Sequence, residues 1–160
     1  MKFIVENVDT DGLTLRAPPS NYRNRFQFDS PTPPALGSNV FGTIHAVARK
    51  MEAVSQGGNY VEPLFGRPRR MQGLVLAQRD EPNELVVRVG YDVTVRLPPG
   101  QKASDFAVGS RVGWDNAAAP RFVRDVPSDP SAASGCQPAG DSASPLAQAV
   151  NHPGARTADH

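Results

Sequence analysis

The sequence is poor in the residues that build redox and metal chemistry. It has one cysteine, Cys136, and three histidines in 160 residues. A single cysteine excludes an internal disulfide and fits a reducing compartment. His45, His152 and His160 have no further ligand-type residues around them at metal-binding spacing. We therefore expect no metal site, no cofactor and no nucleophilic role for Cys136.

Long apolar runs and catalytic motifs are also missing. The apolar start of the chain breaks at Glu6, whereas a signal peptide needs about 7–15 unbroken apolar residues. No stretch approaches the length of a transmembrane helix. The nucleophile elbow, the phosphate loop, the dinucleotide fingerprint and the zinc-protease motif are all absent. These absences predict a cytoplasmic protein with no catalytic residues and no membrane partner.

The net charge of +1 by itself indicates no class of partner, and the distribution of charge is far from the dense basic face of a DNA-binding protein. Residues 40–114 carry ten basic and seven acidic side chains, and residues 115–160 carry three and five. The centre of the chain is therefore mildly basic. From residue 127 the sequence has no aromatic residue and few branched ones. Such a composition buries too little apolar surface to offset the entropy of ordering, so residues 127–160 are predicted to be a disordered tail.

Strand patterns dominate the rest of the chain. Asp11-Gly12 is a strong two-residue turn signal, and it predicts an N-terminal β-hairpin. Residues 1–36 are interpreted as this hairpin followed by a proline-rich connector. Residues 37–126 are interpreted as a small β-barrel domain, with a strand from Gly37 onward and a long loop before the strand at MQGLVLAQ.

The sequence contains two nearly identical pentapeptides, RVGYD at 88–92 and RVGWD at 111–115. Every odd position from Leu85 to Leu97 is apolar, which is strand patterning over an unusually long stretch. Either one strand bends at Gly90 or a hairpin turns through an odd-length loop; we favour the bent strand. In both arrangements we expect Tyr91 and Trp114 to face inward as core residues. The alternative is that the two rings are exposed and stack on nucleic-acid bases.

The loop from Gly57 to Arg70 is the best candidate for a binding site. It combines glycines that permit close approach, two aromatic rings and a proline-stiffened run of arginines. Basic residues at the end of the preceding strand and on neighbouring strands extend it into a groove for a phosphate backbone. The alternative is a solvated basic edge that prevents aggregation. The predicted ligand-binding residues are Arg49, Lys50, Tyr60, Phe65, Arg67, Arg69, Arg70, Arg88 and Arg96.

The order of elements resembles an OB-like small barrel. It rests on GTIHAVARKM, RMQGLVLAQ, the long alternating segment, SDF and GSRVGWD. The resemblance implies a mainly β fold, a closed or partly open antiparallel barrel that binds oligonucleotides or oligosaccharides on a sheet face. Two hypotheses follow: a binding module for single-stranded nucleic acid, or a protein-interaction or assembly module with no nucleic-acid role.

Overall fold

The computed structural model describes residues 1–125, which form one compact all-β unit. The predicted disordered tail at 127–160 lies outside the described residues. Within residues 1–125, a single 3₁₀ turn, Ala103–Asp105, interrupts the strands. The strands are β1 Lys2–Val8, β2 Gly12–Arg16, β3 Arg23–Gln27, β4 Asn39–Ala53, β5 Tyr60–Glu62, β6 Phe65–Gly66, β7 Arg70–Arg79, β8 Glu84–Arg88, β9 Asp92–Arg96, β10 Arg111–Asn116 and β11 Arg121–Arg124.

The long strand β4 is shared by two rings of paired strands. From its first residue to its last, β4 pairs on one side with β11 and then β10, and on the other side with β1 and then β9. One five-strand ring runs β4-β10-β7-β8-β9 and returns to β4; the other runs β1-β2-β3-β11-β4. The mainly β, barrel-like architecture predicted from the sequence is confirmed. Most pairings are antiparallel, but β3–β6, β3–β11 and β4–β9 are parallel.

The β8–β9 segment corrects one prediction. The bent strand is wrong, because residues 84–96 form an antiparallel hairpin in which Arg88 pairs with Asp92 across a three-residue loop. The loop has an odd length, so both strands keep their odd-numbered residues on one face, as the alternating pattern requires. Gly90 has φ +156, and a Cβ there would collide with Cε2 of Tyr22. The glycine therefore makes a tight turn beneath the Tyr22 ring.

The N-terminal hairpin is present, with its turn one residue earlier than predicted. The amide of Asp9 donates to the carbonyl of Gly12, and Val8 pairs with Leu13. Gly12 is needed for close approach, since a Cβ there would lie 2.7 Å from the carbonyl oxygen of Phe26. The stretch interpreted as a connector contains β3, which pairs with β2, β6 and β11.

One continuous core fills both rings. Tyr91 and Trp114 are each 1% exposed, so their prediction as inward-facing core residues is confirmed. The Tyr91 ring lies edge-on to Phe3, with centroids 6.0 Å apart, and to Phe26, at 5.8 Å. A residue of the β8–β9 loop thus packs against side chains of the N-terminal hairpin and β3. No helix within residues 1–125 has the length and apolarity to cross a bilayer.

Candidate functional site

The segment that carries most of the predicted binding residues lies between the two rings. Its β5 pairs with β7 of the first ring, and its β6 pairs with β3 of the second. Gln72 covers the start of the segment and donates to the carbonyls of Gln56 and Gly58, at 3.4 and 2.9 Å. The stretch predicted to be a long loop is therefore fixed at several points by strand pairing and by side-chain hydrogen bonds.

A buried amide organises the tip of this segment. Asn24 is fully buried, and its Nδ2 group lies 3.2, 3.4 and 3.2 Å from the carbonyl oxygens of Pro63, Leu64 and Gly66. Its Oδ1 atom accepts a 3.0 Å hydrogen bond from the hydroxyl of Tyr91. The amide thus donates to carbonyls of the turn in the buried interior, and the Leu64 carbonyl also accepts from the backbone amide of Arg23. Asn24 therefore holds the turn at 63–66 in one conformation.

The turn presents two adjacent apolar side chains to solvent. Leu64 is 55% exposed and Phe65 is 60% exposed. The guanidinium carbon of Arg23 lies 5.9 Å from the centroid of the Phe65 ring, within the range of a cation–π contact. Glu6 orients Arg23 through a 2.9 Å ion pair. We call Leu64, Phe65 and Arg23 the tip.

A β-bulge in β4 supplies the next part of the surface. Asp115 pairs with Lys50 and Asn116 pairs with Ala48, so Arg49 is the extra residue. The even-numbered residues of β4 are buried before this point, whereas Met51 is buried after it. The change of parity leaves Arg49 and Lys50 both exposed, because a bulge redirects the side chains beside it.

Basic residues continue across the neighbouring strands from the bulge. Asp115 lies opposite both Lys50 on β4 and Arg70 on β7, and it forms a 3.2 Å ion pair with Arg70. Arg69 precedes β7, and its carbonyl accepts from the amide of Asn116. We call the set formed by six residues the basic stripe: Arg96, Arg49, Lys50, Arg70, Arg69 and Arg67.

The members of the stripe differ in how far their charge is neutralised. Lys50, Arg70 and Arg96 form ion pairs with Glu52, Asp115 and Glu84 at 3.4, 3.2 and 3.5 Å. Within residues 1–125, no carboxylate lies within ion-pair distance of the other three, Arg49, Arg67 and Arg69, all of which are exposed. These three guanidinium groups are available to an anionic ligand.

Tyr60 acts as a hydrogen-bond partner of the stripe and not as an exposed ring for stacking. It is half-buried on β5, and its hydroxyl accepts from Nε of Arg70 at 3.4 Å. This hydrogen bond, together with the Asp115 carboxylate, raises the pKa of Arg70. Tyr60 therefore orients Arg70 in a fixed position along the outer face of β7.

The structure separates Arg88 from the other predicted residues. Arg88 pairs with Leu74, four residues along β7 from Arg70, which corresponds to about 13 Å. Its Nε atom donates a 2.8 Å hydrogen bond to Asp92, which raises the pKa of Arg88. Arg96, in contrast, pairs with Val47 and lies two residues, about 7 Å along the strand, from Arg49.

Sequence reasoning missed four residues that shape the site: Leu64, Arg23, Asn24 and Asp115. Arg23 and Asn24 lie in the stretch interpreted as a connector. The buried positions of β3 are Asn24 and Phe26, so its sequence, RNRFQ, has no apolar alternation that would indicate a strand. Asp115 ends the second pentapeptide, and its place opposite Arg70 follows only from the pairing of β10 with β7. Within residues 1–125 no three His, Cys, Asp or Glu side chains are grouped as metal ligands. Comparison of the chain with protein-family models, with curated proteins and with solved structures finds no match.

Proposed function

We propose that this protein is a non-catalytic module that binds single-stranded nucleic acid through the Phe65 ring of the tip and through the basic stripe. The observation that carries the proposal is the exposed Phe65 ring on the same segment as Arg67 and Arg69, two exposed arginines that have no carboxylate partner among the described residues. Base–aromatic stacking contributes about 1–3 kcal/mol per base and tolerates any sequence. Guanidinium groups next to such a ring are placed to contact the adjoining phosphates.

The rigidity of the tip favours the same function. Fixing a mobile loop on binding would consume part of the interaction free energy. Because Asn24 already holds the turn at 63–66, the Phe65 ring is presented before a ligand arrives. The resemblance to OB-like barrels enters here as an analogy only, since it rests on the order of elements. We place the protein in the cytoplasm, because its single cysteine fits a reducing compartment.

The test is fluorescence anisotropy of a labelled single-stranded oligonucleotide with the full-length chain. Three phosphate contacts, from Arg49, Arg67 and Arg69, predict that log K falls with log salt with a slope of about −2. Substituting Arg67→Ala together with Arg69→Ala reduces the slope to about −0.7. Phe65→Ala weakens binding about tenfold and leaves the salt slope unchanged, because it removes stacking and no charge.

Arg88→Ala is the matched control. It also removes an exposed arginine, but one that is paired with Asp92 and lies away from the stripe. We expect its affinity and salt slope to equal those of the unaltered protein. Absence of any anisotropy change at low salt would remove the proposal, and so would an equal effect of Arg88→Ala and the Arg67/Arg69 double substitution.

A second candidate function is a protein-interaction or assembly module. The adjacent exposure of Leu64 and Phe65 favours it, because contiguous apolar surface often marks a protein contact. Leu64→Ser distinguishes the two functions. It would abolish capture of a protein partner after nuclease treatment, whereas it leaves the affinity for an oligonucleotide within about twofold, because Leu64 offers no ring for stacking.

A further inference from the structure

A groove of about 440 Å³ lies on the outer face of the sheet where β9, β4 and β11 run side by side. Its floor is a row of residues in register: Thr94 opposite His45, His45 opposite Arg121, and Arg121 opposite Gln27. At one end Arg96 pairs with both Val47 and Glu84. The groove thus adjoins the basic stripe at Arg96, and no part of the function proposed above uses its other polar residues.

Two polar residues of the groove are nearly buried. Glu84 is 7% exposed and Thr94 is 5% exposed. The carboxylate of Glu84 lies 3.5 Å from Arg96 and 3.8 Å from Arg79, beyond a good hydrogen bond in both cases. A carboxylate accepts about four hydrogen bonds. Glu84 therefore lines the groove with acceptor capacity that the described residues do not fill.

We propose that this groove binds a guanine base. The Watson–Crick edge of guanine presents two adjacent N–H donors, which match the two oxygens of the Glu84 carboxylate, and a carbonyl acceptor, which matches the Arg96 guanidinium beside it. Bases also stack on histidine rings and on guanidinium planes. His45 and Arg121, neighbours in the floor of the groove, supply one of each. Adenine offers a single amino donor on that edge and leaves one oxygen of Glu84 unpaired.

The small side chains of the groove fit this occupant. Ala118 and Ala119 line one wall, and Val47 and Val123 supply apolar contacts. A flat base needs such walls, with a few polar groups at its edge to determine its orientation. The inference goes beyond the proposed function, although one base of a strand bound on the stripe would reach the groove past Arg96. It does not depend on that function, since a free nucleoside carries no phosphate.

The test is calorimetric titration of the full-length chain with guanosine, inosine and adenosine. Inosine lacks only the exocyclic amino group of guanosine, so we expect it to bind about tenfold more weakly, as one charge-assisted hydrogen bond is lost. Adenosine should bind more weakly still. Because these ligands are uncharged, their affinities should not change with salt, unlike oligonucleotide binding to the stripe.

Glu84→Gln should abolish the preference for guanosine, whereas Asp92→Asn, which alters a half-buried carboxylate on the same hairpin that is paired with Arg88, should not change it. If Glu84→Gln fails to fold, Thr94→Val is the second variant. It removes a hydroxyl from the floor of the groove and should weaken guanosine binding. Equal affinity for adenosine and guanosine, or no binding of guanosine at millimolar concentration, would overturn the proposal. Oligonucleotide binding with no preference for guanine would leave the proposed function standing and remove only the groove's role.

Discussion

The hydroxyl of Tyr91 donates a 3.0 Å hydrogen bond to the side-chain oxygen of Asn24, and the two residues are 67 positions apart in the chain. Through Asn24 this bond connects the β8–β9 loop to the turn at 63–66, whose carbonyls the same amide holds. The two buried polar groups satisfy each other in the core. The relationship makes the conformation of the exposed tip depend on residues that no ligand touches.

The first prediction concerns this pair. Tyr91→Phe keeps the ring but leaves Oδ1 of Asn24 buried without its donor, so the free energy of unfolding should fall by about 1–3 kcal/mol. Asn24→Ala should lower it further, because several carbonyls and the Tyr91 hydroxyl lose their partner together. Denaturant unfolding measures both losses.

Hydrogen exchange provides the local readout for the same two variants. Exchange of the Arg23 amide, which donates to the carbonyl of Leu64, should accelerate more in Asn24→Ala than in Tyr91→Phe. If Tyr91→Phe accelerated it equally, the turn would depend on the Tyr91 hydroxyl rather than on the Asn24 amide.

The second prediction is a loss of stability at alkaline pH. Burial, with the neighbouring Tyr22 as a smaller cause, raises the pKa of Tyr91 well above its ordinary value. The contribution of the Tyr91 phenol to the free energy of unfolding is fully present below the unfolded-state pKa of about 10, because the phenol is then neutral in both the folded and the unfolded state. Above that pH the unfolded chain ionises first, and the free energy of unfolding should fall by up to about 1.4 kcal/mol per pH unit.

Tyr91→Phe is the control for this effect. Denaturant unfolding between about pH 9.5 and 11 should show a shallower decline in the variant, since the titrating group is gone. Parallel declines in the two proteins would mean that other groups account for the alkaline loss.

The third prediction tests the turn at Gly90. Gly90→Ala places a Cβ against the Tyr22 ring and forces φ +156 on an L-residue, so it should destabilise the fold by about 1–3 kcal/mol. Gly58 has no heavy atom within 4 Å of a built Cβ. Gly58→Ala should therefore be neutral or slightly stabilising, through the lower entropy of the unfolded chain. Thermal unfolding of both variants should show shifts that differ in size or sign, and similar shifts would contradict the role given to Gly90.

The fourth prediction tests the buried indole. Trp114 is 1% exposed, and its Nε1 atom donates a 2.8 Å hydrogen bond to Asn116. Trp114→Ala should lower the free energy of unfolding by about 3–5 kcal/mol, because it leaves a large cavity beside Met51 and Met71. Trp114→Phe should lose less, since the ring fills most of that space. A loss below 1 kcal/mol for the alanine variant, measured by denaturant unfolding, would be incompatible with this packing.

The candidate site was predictable only in part. The composition of the 57–70 segment identified Phe65, Arg67 and Arg69, since exposed rings and arginines in a glycine-rich stretch are typical of binding loops. It could not show that Asp115 neutralises Arg70 or that Arg88 lies apart, because both depend on which strands are neighbours. The bulge at Arg49 was equally invisible, as it exists only in the pairing of β4 with β10.

Local alternation alone determined which side of the segment at 85–97 is buried. The odd-numbered residues from Leu85 to Leu97 are all buried, although the segment is a hairpin and not the bent strand we favoured. Side chains alternate with a period of two in either arrangement, so the sequence determines the buried face without choosing between them. Only the tertiary structure decided the ring closures on β4 and the bond between Asn24 and Tyr91. Those contacts join residues far apart in the chain, and their free energy depends on neighbours that no local pattern records.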